Sequence, residues 1–186
     1  MPAAVLPRMR WLRVAVACAL AFVLVACMSD EGACGCQMPA DAVTYEMYVL
    51  TGFDADSQVV IRKFEAEPSD DPGLLVVTAL LHFTPPADAA QVNGWAPFEE
   101  PIAEVLSVRH EDGEIVVDLD TDMMDPFPLA DMSVVPDGAR TLEQLLQTVQ
   151  AAFDNEDPLR VTVRGQPTEG VWGTRVTWPI NGSATR

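Results

Sequence analysis

The chain holds a single lysine, Lys63, and only two histidines, His82 and His110, and no apolar run approaches the length of a membrane span. Each shortage closes a class of function. Neither a Gly-x-x-x-x-Gly-Lys-Ser/Thr loop nor a Gly-x-Gly-x-x-Gly turn occurs, so the usual cradles for nucleotide phosphates are missing. His82 and His110 lie in distant segments, and four cysteines crowd into the first 36 residues, so the usual four-ligand zinc site cannot be assembled. No Gly-x-Ser-x-Gly elbow and no plausible Cys–His neighbourhood supports a nucleophilic enzyme. Positive charge is scarce as well: 11 bases face 28 acids, a formal charge of −17, which argues against a nucleic-acid backbone as partner. At 186 residues the chain suits one compact domain.

What is present begins with an asymmetry. Arg8, Arg10 and Arg13 precede the run Val14 to Val25, "VAVACALAFVLV", and no acid appears before Asp30. Twelve apolar residues rise about 18 Å as a helix, well short of a hydrocarbon core of about 30 Å, and a basic start before a short apolar run reads as a signal peptide over residues 1–26. The run ends in Leu24-Val25-Ala26-Cys27, which resembles the lipobox of bacterial lipoproteins. That resemblance implies cleavage after Ala26, diacylglycerol on the Cys27 thiol and acyl chains that hold the protein stably to a membrane. Losing residues 1–26 removes three arginines and no acid, which leaves a formal charge of −20. Residues 27–42 are small and polar, with Pro39, and suit a flexible tether. Within it Cys34 and Cys36 could form a local or intermolecular disulfide, remain free thiols or hold a soft metal weakly.

From Val43 the pattern becomes that of a folded domain, expected over 43–180, with 181–186 as a tail. Alternation in 43–51 and 58–67 predicts two strands around the turn-rich "GFDADS". Asp71-Pro72 offers an N-cap followed by proline at the first helical position, but 73–83 is apolar almost all round, which leaves helix and buried strand open. Trp95 and Phe98 are expected to pin the Pro-rich loop 84–101 to the body. Asp112-Gly113 between "AEVLSVRH" and "EIVVDLD" predicts a hairpin whose second arm has a core face at Ile115, Val117 and Leu119 and a partly wet face at Val116, Asp118 and Asp120. An amphipathic helix is expected over 141–153, with Thr141 and Gln144 as a capping box. Strands over 159–165 and 170–180 close the order, so the expectation is an α/β (α+β) domain with a single mixed sheet packed by two helices.

Few side chains suggest chemistry. Asp118, Asp120 and Asp122 alternate like the opening of a calcium loop, but Met123 stands where that loop needs glycine and Leu129 where it needs glutamate, so they make only a weak metal candidate. His82, in an apolar segment, reads as a packing residue, and His110 as exposed beside its turn. No spacing among the acids selects a catalytic pair.

The succession Val117-Asp118-Leu119, Gln147-Thr148-Val149 and Val161-Thr162-Val163-Arg164-Gly165, after a first helix ending at Thr84-Pro85, resembles the GerMN domain, a family named after a bacterial germination and sporulation protein. The resemblance spans about residues 43–166; the loop at 84–101 and the insertion at 121–138 depart from it. It favours the helix at 73–83 and implies a non-enzymatic envelope domain, without supplying a binding site residue by residue. The expectation is therefore a lipoprotein held extracytoplasmically by acylated Cys27, needing no cofactor, that displays an acidic GerMN-like domain to an envelope protein or cell-wall partner. The alternative is a solute- or metal-binding lipoprotein built around Asp118–Asp125 and the Trp95 loop.

Overall fold

The computed structural model describes residues 41–86, 90–96, 101–124 and 136–182. Cys27, Cys34, Cys36, Phe98 and most of the 121–138 insertion lie outside them. Strand β1 (Val43–Leu50) and strand β2 (Val59–Ala66) form an antiparallel ribbon. Its register places Tyr45 opposite Phe64 and Val49 opposite Val60, so the alternating residues of both strands build one apolar face. Met47 and Val49 are fully buried there, and Tyr45 stacks on Phe64 with ring centroids 5.7 Å apart. Leu50, on the other face, is buried too, because its backbone pairs in both directions with Val92 at 3.0 and 2.7 Å.

Helix α1 (Pro72–His82) resolves the ambiguity over 73–83 in favour of helix. Asp71 accepts a hydrogen bond from the Leu74 N–H at 2.9 Å, and proline occupies a first-turn position where no N–H is needed. The segment is apolar nearly all round because it is wedged among the ribbon, the second helix and strand β3 (Val105–Glu111). Gly73 permits that approach, since a Cβ there would meet the Phe153 ring at 2.7 Å.

Strand β4 (Glu114–Leu119) pairs antiparallel with β3 around Asp112 and Gly113, whose φ values of 52° and 77° are those of the expected type I′ turn. Strand β5 (Leu159–Val163) lies parallel to β4 and is reached through helix α2 (Gly138–Phe153), while β6 (Gln166–Pro167) completes a mixed four-stranded sheet in the order β3-β4-β5-β6. The β1–β2 ribbon forms a sheet of its own. The domain is α+β, with one mixed sheet, two helices and small flanking sheets.

Three local expectations are corrected. Val116 and Asp118 are buried, because β4 is a central strand: Arg109 and Arg160 flank Val116 in the register, and Asp118 lies between Ser107 and Thr162 with its carboxylate bonded to Thr162 and Gly165. Helix α2 begins at Gly138, three residues early: Asp137 is the cap, accepting from the Arg140 N–H at 2.9 Å, so Thr141 and Gln144 sit inside the helix on its buried side. The last segment is not one strand. Trp172 and Gly173, at φ 50° and 76°, reverse it between β7 (Gly170–Val171) and β8 (Thr174–Arg175), and Ile180 then returns to pair with Leu159.

Candidate functional site

The acids singled out in the sequence do not converge. Asp118 Oδ1 accepts from the Thr162 hydroxyl and the Gly165 N–H, both at 2.7 Å, which ties β4 to β5 and its turn. Asp120 Oδ1 accepts from the Glu104 N–H and the Thr121 hydroxyl at 2.8 Å. Asp122 Oδ1 caps the Met124 N–H at 2.9 Å and accepts from Thr168. Each carboxylate is thus engaged by its own donors, and among the described residues no three His, Cys, Asp or Glu side chains gather as a metal site would need. His82 is partly buried at the end of α1 and contacts Glu104 at 3.3 Å. His110 pairs with Asp157 and lies against the Phe153 ring. The two imidazoles serve different seams of the fold.

A buried polar network escaped the sequence reading. Asn93 donates through Nδ2 to the Leu80 and Phe83 carbonyls at 2.6 and 2.9 Å, which finishes α1. Its Oδ1 accepts from the Trp95 N–H and from Gln144 Nε2, both at 3.0 Å. Gln144 Oε1 in turn accepts from the Gly94 N–H at 3.2 Å. Trp95 and Trp172, both buried, donate their indole N–H groups to the Thr141 and Gly94 carbonyls at 2.8 and 2.7 Å. The loop 90–96 is thereby locked onto α2, with every side-chain nitrogen and oxygen of Asn93 and Gln144 hydrogen-bonded.

That lock sets α2 beside β1. Tyr48 donates its N–H to the Thr148 hydroxyl at 3.0 Å, and that hydroxyl in turn donates to the Gln144 carbonyl at 2.8 Å. Beyond Thr148, an open groove of about 480 Å³ separates Tyr48 from the helical stripe Gln147, Gln150, Ala151 and Asp154, and Asn155 and Glu156 close its end. The spacing three, one and three puts those four residues on one face. Asp154 caps the helix in the left-handed conformation at φ 50°, and no basic residue stands in the last turn. Acids therefore sit at the negative end of the helix dipole, so the groove is electronegative by both side chains and backbone. The Tyr48 phenol is held above its ordinary pKa, first by burial and then by Glu46, with Lys63 opposing. The arrangement is an open groove whose charge favours a cation over an anion. Gln147, Gln150 and Asp154 at helical spacing, without a nearby base, were the available sequence signal.

No family model matches the chain, and no curated protein matches it significantly. Among solved structures, a candidate lipoprotein from Clostridium perfringens is similar at 12% identity and TM-score 0.47, over 82% of this chain and 94% of that one. The tandem GerMN domains of the sporulation protein GerM from Bacillus subtilis are similar at 13% identity and TM-score 0.52, over 82% of this chain. The match spans about half the length of the GerM tandem, 51% of it. The strand, helix, hairpin, helix and strand succession read from the sequence is thus realised in space, and the chain carries a GerMN-like fold.

Proposed function

We propose that the protein is an extracytoplasmic lipoprotein, anchored through acylated Cys27, whose acidic GerMN-like domain works by binding an envelope partner and not by catalysis. The observation that carries this reading is the union, in one chain, of a Leu24-Val25-Ala26-Cys27 sequence that resembles a lipobox with a GerMN-like fold whose first strand begins at Val43, sixteen residues after Cys27. Fixing the domain to a surface raises its effective concentration there, so a shallow contact face such as the α2 groove suffices. The Asp118, Asp120 and Asp122 carboxylates each accept hydrogen bonds from their own neighbours within the fold, which supports a structural role for them over a shared cation site.

The test expresses the full chain in a bacterial host with a clickable fatty acid. The wild type takes up label and sediments with membranes, Cys27→Ser does neither, and added protease reaches the domain on intact spheroplasts. Label persisting on the serine variant, or a domain shielded from the protease, overturns the proposal.

A further inference from the structure

Strand β1 has two backbone edges, and hydrogen bonding shows which groups face outward. Leu50 exchanges both backbone bonds with Val92 instead of with its β2 neighbour Val59, and Tyr48 donates its N–H to Thr148. In an antiparallel ladder this alternation carries along the strand, so Thr44 and Glu46 also turn their N–H and C=O groups away from β2. Val92 and Thr148 cover the edge at Leu50 and at the Tyr48 N–H. Among the described residues nothing pairs with the Thr44 and Glu46 groups or with the Tyr48 carbonyl. Tyr48, at the end of this stretch, lines the groove bordered on the helix side by Gln147, Gln150 and Asp154.

We infer that the Thr44–Tyr48 edge accepts an extended peptide carrying lysine or arginine as an added strand, with its basic side chains over the Asp154 and Glu156 end of the groove; this deepens the binding function proposed above and rests on it. Charge selects the occupant. Among the described residues neither Asp154 nor Glu156 makes an ion pair, whereas Arg160 pairs with Glu114, Arg140 with Glu143, Arg62 bonds Gln91, and Lys63 neutralises Glu46 on the edge itself, which leaves the Asp154 and Glu156 end as the uncompensated negative charge. A chain at −17 in all repels acidic partners and attracts basic ones. Five outward backbone groups supply a register, and the amides of Gln147 and Gln150 offer side-chain partners on the helix side.

The experiment uses the full lipidated chain in detergent and a nine-residue probe peptide alternating lysine with valine. Two control peptides replace every lysine with glutamate or methylate the alternate backbone nitrogens that would face β1. Binding is read by fluorescence anisotropy and located by crosslinking and mass spectrometry. The lysine peptide is expected to bind and to crosslink at Thr44–Tyr48 and Gln150–Glu156. Both control peptides should bind at least tenfold more weakly, as should the lysine peptide to Asp154→Lys/Glu156→Lys, a surface variant whose melting point stays near wild type. Equal binding by the methylated peptide removes strand addition. Equal binding by the double variant removes the charge argument, and a cell-wall glycan fragment binding this groove while the lysine peptide does not would overturn the inference outright. Fatty-acid labelling of the same preparation separates the two claims: a labelled protein that ignores the peptide sinks this inference and leaves the anchor standing.

Discussion

Replacing Asn93 with alanine tests the buried network that fixes α2 beside β1. The asparagine is 1% exposed and its side chain makes four hydrogen bonds. Leu80 O keeps a bond from the Phe83 N–H, so three groups are left without the asparagine: the Phe83 carbonyl, the Trp95 N–H and the Gln144 amide. Each buried unsatisfied group costs about 1–3 kcal/mol, and partial rearrangement around Gln144 brings the total to about 4 kcal/mol. At roughly 4 °C per kcal/mol for a domain of this size, the melting temperature falls about 15 °C. Tryptophan fluorescence during urea and thermal unfolding reads the change directly, since Trp95 and Trp172 are both buried beside the network. Gln91→Ala, two residues away and hydrogen-bonded through its side chain to Arg62, serves as the control, with a change of about 0.5 kcal/mol or less. The double cycle of Asn93→Ala with Gln144→Leu should show coupling above about 1 kcal/mol, because the two side chains share a bond. A loss below about 1 kcal/mol for Asn93→Ala, or strict additivity with Gln144→Leu, would refute the claim that this network holds the loop to the helix.

Other consequences are as definite. Gly138→Ala should cost about 1–3 kcal/mol in urea unfolding, since its Cβ would collide with the Val171 carbonyl and with Thr174; an unchanged midpoint would mean that α2 starts elsewhere. Asp118→Ala should cost about 2 kcal/mol by orphaning the Gly165 N–H and the Thr162 hydroxyl, and calcium should leave the melting curves of wild type and variant alike unmoved; a calcium-induced rise in the wild type that the variant lacks would restore a metal role to Asp118. The Arg160 guanidinium, bonded through Nε and Nη2 to Glu114, holds that carboxyl below the ordinary glutamate range. A depressed carboxyl pKa stabilises the fold above the unfolded value and loses that contribution as pH falls through the folded one. The stability gap between wild type and Glu114→Gln should therefore be present at pH 7 and close in strong acid; a gap independent of pH would contradict the pairing.

Local chemistry was legible in the sequence where one or two residues decide the outcome. Asp112-Gly113 announced its turn, Asp71-Pro72 its helix start, and the alternation through Val43 to Val49 its strand. Trp172-Gly173 and Arg164-Gly165 carry the same paired positive φ, and the turn at Trp172 was missed because a tryptophan before glycine reads as a strand residue. Thr141 and Gln144 imitate a capping box while serving the interior, since a serine-or-threonine to glutamine spacing cannot tell an exposed first turn from a buried second one. Asn93 bonds Gln144 across 51 positions, and the outward edge of β1 depends on Val92 and Thr148; neither has a local signature. The groove followed from that packing, so its helical face was readable and its strand face was not.

Mass spectrometry of the mature N-terminus, taken from membranes of cells expressing the whole chain, tests the central claim most directly. The account predicts a first residue of Cys27 bearing diacylglycerol on sulfur, and a mature chain that starts at any other residue, or at an unmodified Cys27, contradicts it.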